Sequence, residues 1–131
     1  MAIRFGGAEE IDLAQLAALF HDAGWPERAG DVSGMVAGSR FVVTAWDTSA
    51  LVGFGRAYSD GVTGAYLTDV MVRSSHRRQG IGRSIVQRLL DETAGLKVTL
   101  RAPPHMHAFY GSLGFSPAEH VFVRKRRVDR G

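Results

Sequence analysis

The spacing of apolar residues changes along the chain and divides it into helical and extended segments. A first helix is predicted over Glu9–His21, where apolar residues recur every three or four positions: Ile11, Ala14, Ala18 and Leu19. A weaker helix, with two glycines, is predicted over Val32–Ser39. Ile81–Thr93 has the strongest helical pattern, and Gly95 is placed to end it.

Runs rich in β-branched and aromatic residues predict the strands. Phe41–Trp46 and Leu51–Tyr58 are joined by the polar stretch Asp47–Ser49, which indicates a hairpin, and Ala65–Arg73 follows the turn signal Asp60-Gly61. Further elements are predicted at both ends: strands over Ile3–Phe5, Lys97–Leu100 and Val121–Lys125, and a short helix over His105–Leu113 that ends at Gly114.

This order of elements predicts a mixed α/β fold. The early strands form antiparallel hairpins, whereas the strand–helix–strand unit over residues 65–100 requires a parallel crossover. We therefore expect a central mixed, mostly antiparallel sheet with one parallel β-α-β crossover and helices on both faces. A chain of 131 residues is the size of one domain, so we expect residues 1–131 to form a single domain.

Composition excludes several classes of chemistry. The chain has no cysteine, which excludes disulfides, thiolate metal sites and a cysteine nucleophile. The first residues lack the apolar core of a cleavable leader, and no apolar run approaches the length of a membrane span. These observations predict a cytoplasmic protein without a membrane partner.

The positive charge of the chain is concentrated at its C-terminal end. Residues 124–130 carry a net charge of +4, while the whole chain carries +3, so the remainder is slightly acidic. A short basic end can contact nucleic acid, but a solvated chain end is the commoner explanation, and we expect no nucleic-acid partner. The second basic cluster, from Arg73 to Arg88, lies within the acidic remainder and is more informative.

A glycine-rich stretch links the strand ending near Arg73 to the helix beginning at Ile81. Its sequence is Arg77-Arg-Gln-Gly-Ile-Gly-Arg83, and no acidic residue lies between Asp69 and Asp91. Backbone N–H groups at a helix N-terminus, with the helix dipole, favour anions, and glycines allow an oxygen-rich ligand to reach them. The pattern therefore predicts a polyphosphate site.

Two nucleotide-binding motifs do not fit this stretch. A P-loop requires a lysine after its second glycine, and the chain has no lysine before Lys97. A dinucleotide fingerprint requires a third glycine where Ile85 stands. A tight strand-to-helix turn without a ligand is the structural alternative, but the preceding arginines favour phosphate binding.

Together with Phe109-Tyr-Gly-Ser-Leu-Gly-Phe115 downstream, this stretch resembles the GNAT acetyltransferases. The resemblance covers nearly the whole chain and is similar to small bacterial members and to the plant arylalkylamine/serotonin acetyltransferase branch. It implies a GNAT-like fold and acetyl-CoA as co-substrate. The implied phosphate cradle consists of Arg77, Arg78, Gln79, Gly80, Ile81, Gly82 and Arg83. The resemblance further implies that Val70, Met71 and Val72 pair with the pantetheine amides, and that Phe109 contributes to cofactor binding.

The resemblance also implies the catalytic roles. Tyr110 is the expected general acid that protonates the departing thiolate, although a packed core tyrosine is the alternative. Many relatives carry a glutamate base before the pantetheine-pairing run, where this chain has only Asp69. Asp69 is expected either to be that base, directly or through water, or to orient the strand. No serine elbow or cysteine is present, so direct attack by the amine is expected.

The acceptor is expected to be a primary amine, with a small molecule favoured over a protein amino group. Candidate acceptor-side residues are Trp25, Pro26 and Arg28 in the loop after the first helix, for which a packed surface loop with a buried tryptophan is the alternative. Arg56 and Asp60 are further candidates, which could instead form a cross-strand ion pair. His105 and His107 are spaced two apart and predict no metal site. A homodimer would fit the resemblance, and a non-catalytic acyl-CoA sensor is the rival function.

Overall fold

A computed structural model describes residues 2–126 of the chain. The chain divides after Arg101 into two compact units. The first unit contains β1 (Arg4–Gly6), α1 (Leu13–Asp22), α2 (Val32–Ala37), β2 (Phe41–Asp47), β3 (Ala50–Ser59), β4 (Gly64–Val72), α3 (Ile81–Glu92) and β5 (Lys97–Leu100). Short 3-10 turns lie at Ala8–Glu10, Pro26–Asp31 and Ser74–His76.

The five strands form one sheet in the order β1-β2-β3-β4-β5. The first four strands pair antiparallel with their neighbours, and β4 pairs parallel with β5. The predicted mixed, mostly antiparallel sheet with one parallel crossover is therefore confirmed. The crossover element is α3, which connects β4 to β5.

Helix α3 packs closely on one face of the sheet because two glycines of β3 lie beneath it. A Cβ at Gly55 would lie 2.6 Å from Ile85 Cγ2, and one at Gly53 would lie 2.9 Å from Ile85 Cδ1. The helix directs its apolar stripe toward this face through the buried residues Ile81, Ile85, Val86 and Leu89. The glycines therefore set how near α3 can approach the sheet.

The opposite face of the sheet carries the main core cluster. Buried residues of α1 pack there against buried residues of the sheet: Leu16, Leu19, Phe20, Trp46, Leu51, Phe54 and Met71. Helix α1 begins at Leu13, later than predicted, because the Asp12 carboxylate accepts hydrogen bonds from Ala14 N (2.9 Å) and Gln15 N (3.4 Å) as an N-cap. The preceding acids form a separate 3-10 turn at Ala8–Glu10.

The second unit begins at Ala102 and contains a 3-10 turn at Pro104–Met106 and α4 (His107–Gly111). The predicted strand over Val121–Lys125 is wrong, because the structure has no regular element there. Its apolar side chains are exposed, and Phe122 is 96% exposed. Alternating apolar residues predict a strand only where a neighbouring strand supplies hydrogen bonds. Part of the basic C-terminal end lies outside the described residues.

Candidate active site

A β-bulge interrupts β4 in the middle of the sheet. Phe54 pairs with Met71 and Arg56 pairs with Thr68, so the β4 residues Asp69 and Val70 together face Gly55. Asp69 has φ +56°, in the left-handed region that L-residues rarely adopt. Aspartate tolerates this region better than most residues because its short side chain can make local polar contacts. A bulge leaves one residue outside the regular ladder, which exposes backbone groups at a defined point.

The opposite edge of β4 is paired for only part of its length. Parallel pairing with β5 runs from Gly64–Lys97 to Leu67–Leu100 and stops there. Residues 68–72 continue β4 beyond the last paired residue. This stretch includes Val70, Met71 and Val72, the three residues that the family resemblance implied for pantetheine pairing. No strand within residues 2–126 pairs with this part of the edge, and an unpaired extended edge suits an amide chain as a partner.

The glycine-rich stretch lies between this end of β4 and α3. Gly80 has φ +80°, and a Cβ there would meet no atom within 4 Å. It precedes the first residue of α3 and makes no side-chain cap hydrogen bond, and the first turn of the helix has no acidic residue. The first N–H groups of a helix lack intrahelical partners, so this terminus is available to an anion. A phosphate-bearing ligand such as CoA fits these features.

Arg77 is directed toward the protein rather than placed free in the loop. Its Nε donates to the Val72 carbonyl oxygen at 3.0 Å, and its Nη2 lies 3.8 Å from Asp22 Oδ2. Asp22, at the end of α1, also accepts hydrogen bonds from Ser74 N (2.8 Å) and Ser74 Oγ (2.7 Å). These hydrogen bonds, led by the one from the Ser74 hydroxyl, lower the pKa of Asp22. The loop is thereby fastened to α1.

A second contact holds the loop against the end of β2. His76 Nε2 lies 2.8 Å from Asp47 Oδ2 at the end of β2, and His76 Nδ1 lies 2.7 Å from Ser75 Oγ. The residues before the glycines are therefore held by α1 and β2 together. The sequence contains no local signal for either contact, because both partners are distant in the chain.

Asp69 forms the centre of a buried ionic cluster. Its Oδ2 accepts from Arg56 Nε at 2.7 Å and from Arg28 Nη2 at 2.9 Å. The exposed fractions of the side chains are 2% for Asp69, 10% for Arg56 and 38% for Arg28. Arg56 Nη1 also donates to Ser39 Oγ at 3.3 Å. The structure thus joins Asp69 and Arg56, which the sequence singled out separately, and adds Arg28 to them.

Aromatic rings extend from this cluster along the same strands. The Arg56 guanidinium carbon lies 5.7 Å from the centre of the Tyr58 ring, and Tyr58 stacks on Tyr66 with centroids 5.1 Å apart. Partial burial, followed by the neighbouring Tyr58, raises the pKa of Tyr66. Trp25 is 41% exposed and its carbonyl accepts from Arg28 N at 3.1 Å.

Asp60 has a different role from the cross-strand partner considered from sequence. Its carboxylate accepts from Val62 N, Thr63 N and Thr63 Oγ1 at 2.8, 2.8 and 2.6 Å. These contacts, led by the Thr63 hydroxyl, lower the pKa of Asp60. Asp60 therefore caps the turn between β3 and β4, while Arg56 pairs with Asp69.

Tyr110 belongs to α4 in the second unit. Its ring makes edge-to-face contacts with Phe109 at 5.0 Å and Phe115 at 5.8 Å between centroids. Burial raises the pKa of Tyr110, so the phenol is protonated at neutral pH. This protonation state is the one that a general acid requires.

The described part of the chain offers neither a metal cluster nor a membrane-spanning helix. Among residues 2–126, no three side chains of His, Cys, Asp or Glu form a group that could hold a metal ion. No helix in that part of the chain has the length and apolar character needed to cross a bilayer.

Comparison with known proteins gives the family. The model of the acetyltransferase (GNAT) domain matches residues 15–127. The chain therefore belongs to the GNAT family of N-acetyltransferases, as the resemblance implied.

Three plant proteins are among the curated relatives that this chain resembles. GCN5-related N-acetyltransferase 1, chloroplastic, of Arabidopsis thaliana is 31% identical over 91% of this chain and 66% of its own length. Serotonin N-acetyltransferase 2, chloroplastic, of Oryza sativa subsp. japonica is 32% identical over 81% of this chain and 57% of its length. Histone acetyltransferase TAP1 of Glycine max is 27% identical over 86% of this chain and 55% of its own length. The chain spans between about half and two thirds of these relatives.

Solved structures agree on the fold. A candidate acetyltransferase from Deinococcus radiodurans is 28% identical, with a TM-score of 0.81 over 94% of this chain and 88% of that chain. A GNAT-family candidate from Xanthomonas campestris is 22% identical, with a TM-score of 0.82 over 96% of this chain and 94% of that chain. The likeness to the second protein concerns the fold alone.

The prediction of a cytoplasmic protein is wrong by this comparison. It depended on the lack of a leader and of an apolar span, whereas the Arabidopsis and rice relatives are named as chloroplastic proteins. Segments that direct a protein to a compartment need not leave a trace in the domain that they accompany.

Proposed function

We propose that this protein transfers an acetyl group from acetyl-CoA directly to a primary amine. The observation that carries the proposal is the combination of a partly unpaired β4 edge with an uncapped helix N-terminus at its end. This combination offers amide-pairing groups and phosphate-binding groups in the order in which CoA requires them. We further propose that residues 1–131 act as one GNAT domain, which the match over residues 15–127 supports.

The loop would hold the pyrophosphate through backbone N–H groups at Gly80, Ile81, Gly82 and Arg83. Arg78 and Gln79 precede these amides in the exposed part of the loop. Arg77, which contacts Val72 O and approaches Asp22, would fix the loop rather than close over the ligand. A Cβ at Gly82 would lie 3.5 Å from Val72 Cγ2, so the helix begins close to the end of β4.

Beyond the phosphates, acetyl-CoA supplies an acyl group activated as a thioester. The β4 run Val70–Val72 would pair with the pantetheine amides, and the N–H of Val70 at the bulge would donate to the carbonyl oxygen as negative charge develops there. A donor held by the backbone needs no reorganisation during the reaction. Tyr110 would donate a proton to the thiolate that leaves when the amine nitrogen bonds to the acyl carbon.

For Asp69, the contacts favour the positioning role over that of general base. Its Oδ2 already accepts from two guanidinium groups, and the side chain is almost fully buried. Asp69 would hold the backbone of the bulge so that Val70 N–H points toward the thioester. The ammonium form of the acceptor would in that case lose its proton to solvent before the amine attacks.

The acceptor is proposed to be a small molecule. The paired tyrosine rings, and the exposed Trp25 on the segment that leads to Arg28, support a small acceptor with an apolar part. The name of the rice relative, a serotonin N-acetyltransferase, supports the same choice. The name of the soybean relative, a histone acetyltransferase, makes a protein amino group the second candidate.

Thiol release from acetyl-CoA, followed with a panel of small amines and a lysine-rich peptide, tests this function. We expect turnover with at least one small amine. Tyr110→Phe should lower kcat roughly 100-fold or more and leave the Kd of CoA within about twofold, because the ring stays and only the proton donor is lost. CoA binding without turnover on any acceptor would identify an acyl-CoA sensor, and the absence of CoA binding would refute the cradle.

A further inference from the structure

The ionic cluster at the bulge contains two guanidinium groups, of Arg28 and Arg56, and one carboxylate, of Asp69. Asp69 is already matched by Arg56, whose Nε lies 2.7 Å from Oδ2 and whose side chain is similarly buried. Arg28 approaches the same oxygen as a second cation, at 2.9 Å. Two guanidinium groups around one carboxylate leave a net positive charge at this point of β4.

Arg28 is the cation that solvent can reach. It lies on the segment Pro26–Asp31, and its guanidinium carbon rests 5.6 Å from the centre of the Phe20 ring. Among residues 2–126, its one ion pair is the one with Asp69, which engages Nη2. The acids Glu27 and Asp31 on the same segment are exposed and form no ion pair with it, so water screens their charge. The remaining N–H donors of Arg28 are available for an anion.

The surroundings restrict what the anion can belong to. Arg28 is held to Asp69, the residue beside Val70, at the bulge where the proposed function places the acyl carbon. The stacked Tyr58 and Tyr66 continue from Arg56 on the same strands. A ligand on this surface would thus meet a cation close to the reacting amine and an aromatic surface further away.

We propose that Arg28 is a specificity-determining residue that binds a carboxylate on the acceptor, so that the preferred acceptor class is small amino carboxylates. The inference rests on the proposed acetyl transfer and names its acceptor. A guanidinium matches a carboxylate with parallel N–H donors, which gives both affinity and orientation. An exposed net positive charge also disfavours a plain alkylammonium, because like charges repel.

The test compares acceptors that differ only in the carboxylate: phenylalanine, phenylalanine amide and 2-phenylethylamine. For the unmodified protein at saturating acetyl-CoA, we expect kcat/KM for phenylalanine to exceed that for the amide by roughly 10- to 100-fold, as for the loss of a charge-assisted hydrogen bond. The amide has the less basic amine and hence more neutral nucleophile, so chemical reactivity alone would give the opposite order.

Arg28→Gln should abolish the preference by lowering kcat/KM for phenylalanine alone, and Arg28→Lys should restore part of it. Arg40→Gln is the matched control. Arg40 also lies over a phenylalanine ring, that of Phe41, and its substitution removes the same charge away from the cluster. An unchanged Kd for CoA shows that each variant is folded. The inference is overturned if the amide or 2-phenylethylamine is the better substrate, or if Arg28→Gln affects all three acceptors equally. Absence of turnover with every amine would instead refute the proposed acetyl transfer.

Discussion

Replacing Asp69 by asparagine tests whether the buried cluster holds the bulge together. Asparagine has the same shape and tolerates the left-handed backbone at φ +56°, so the substitution removes charge without adding strain. It leaves Arg56, which is nine-tenths buried, without its anion. Breaking a buried pair in this way costs about 3–5 kcal/mol.

The contribution of Arg28 is smaller. Its side chain is more than one third exposed, so its pair with Asp69 contributes at most about 1 kcal/mol. The amide oxygen of asparagine can still accept a hydrogen bond from Arg56, which places the expected loss at the lower end, about 3 kcal/mol. At a urea m-value of about 1–3 kcal/mol/M, this loss moves the unfolding midpoint down by about 1–3 M.

Urea unfolding followed by circular dichroism measures the effect, with Arg28→Gln and Asp60→Asn as controls. Arg28→Gln should shift the midpoint by less than half as much as Asp69→Asn, and Asp60→Asn, in an exposed turn, should shift it least. An unchanged m-value would show that the denatured state is not altered. If Asp69→Asn unfolds within about 0.2 M of the unmodified protein, the carboxylate does not neutralise Arg56 and the positioning role is refuted.

Three further predictions follow from particular backbone and side-chain positions. Gly80→Ala should destabilise the protein by about 1–2 kcal/mol, because alanine is strained at positive φ, and should also raise the Kd of CoA measured by calorimetry. Gly24→Ala, at φ +89°, is the control: it should cause similar strain and leave that Kd unchanged. Gly55→Ala should cost about 1–3 kcal/mol in urea unfolding because its Cβ would lie 2.6 Å from a buried isoleucine, while Gly34→Ala, in open space on α2, should stabilise by about 0.5–1 kcal/mol. The pKa of Asp22 is lowered in the folded state, so its stabilising effect is complete above the unfolded value of 3.8 and is lost as the pH falls through the lowered value. The difference in unfolding free energy between the unmodified protein and Asp22→Asn should therefore be constant near neutral pH and shrink in acid; a difference that grows in acid would contradict this assignment.

Local patterns in the sequence were sufficient to predict most of the sheet. The hairpin from Phe41 to Tyr58 and the crossover helix beginning at Ile81 depend on turn residues and on periodic apolar positions, which are properties of neighbouring residues. The strand over Val121–Lys125 could not be judged in this way, because its composition is suited to a strand but its pairing depends on distant residues.

The candidate site was predicted only where it is continuous in the chain. The glycine loop and the β4 run were identified because their residues are adjacent. The pairing of Arg56 with Asp69 rather than Asp60, and the approach of Arg28 across 41 positions, depend on the bulge and on the segment after α1. The fastening of Ser74 to Asp22, 52 positions away, is likewise a tertiary contact without a local signal.

The additional residue in β4 has a consequence for how this sheet tolerates changes in length. Asp69 and Val70 both lie opposite Gly55, so β4 has one residue more than β3 at this point. The alternation of its side chains between the two faces of the sheet is shifted there. Deleting a single residue at this point would allow β3 and β4 to pair without interruption and would remove the surplus peptide group. Such a shortened chain would keep its helices and its glycine loop and yet lack the amide proposed to donate to the acyl oxygen.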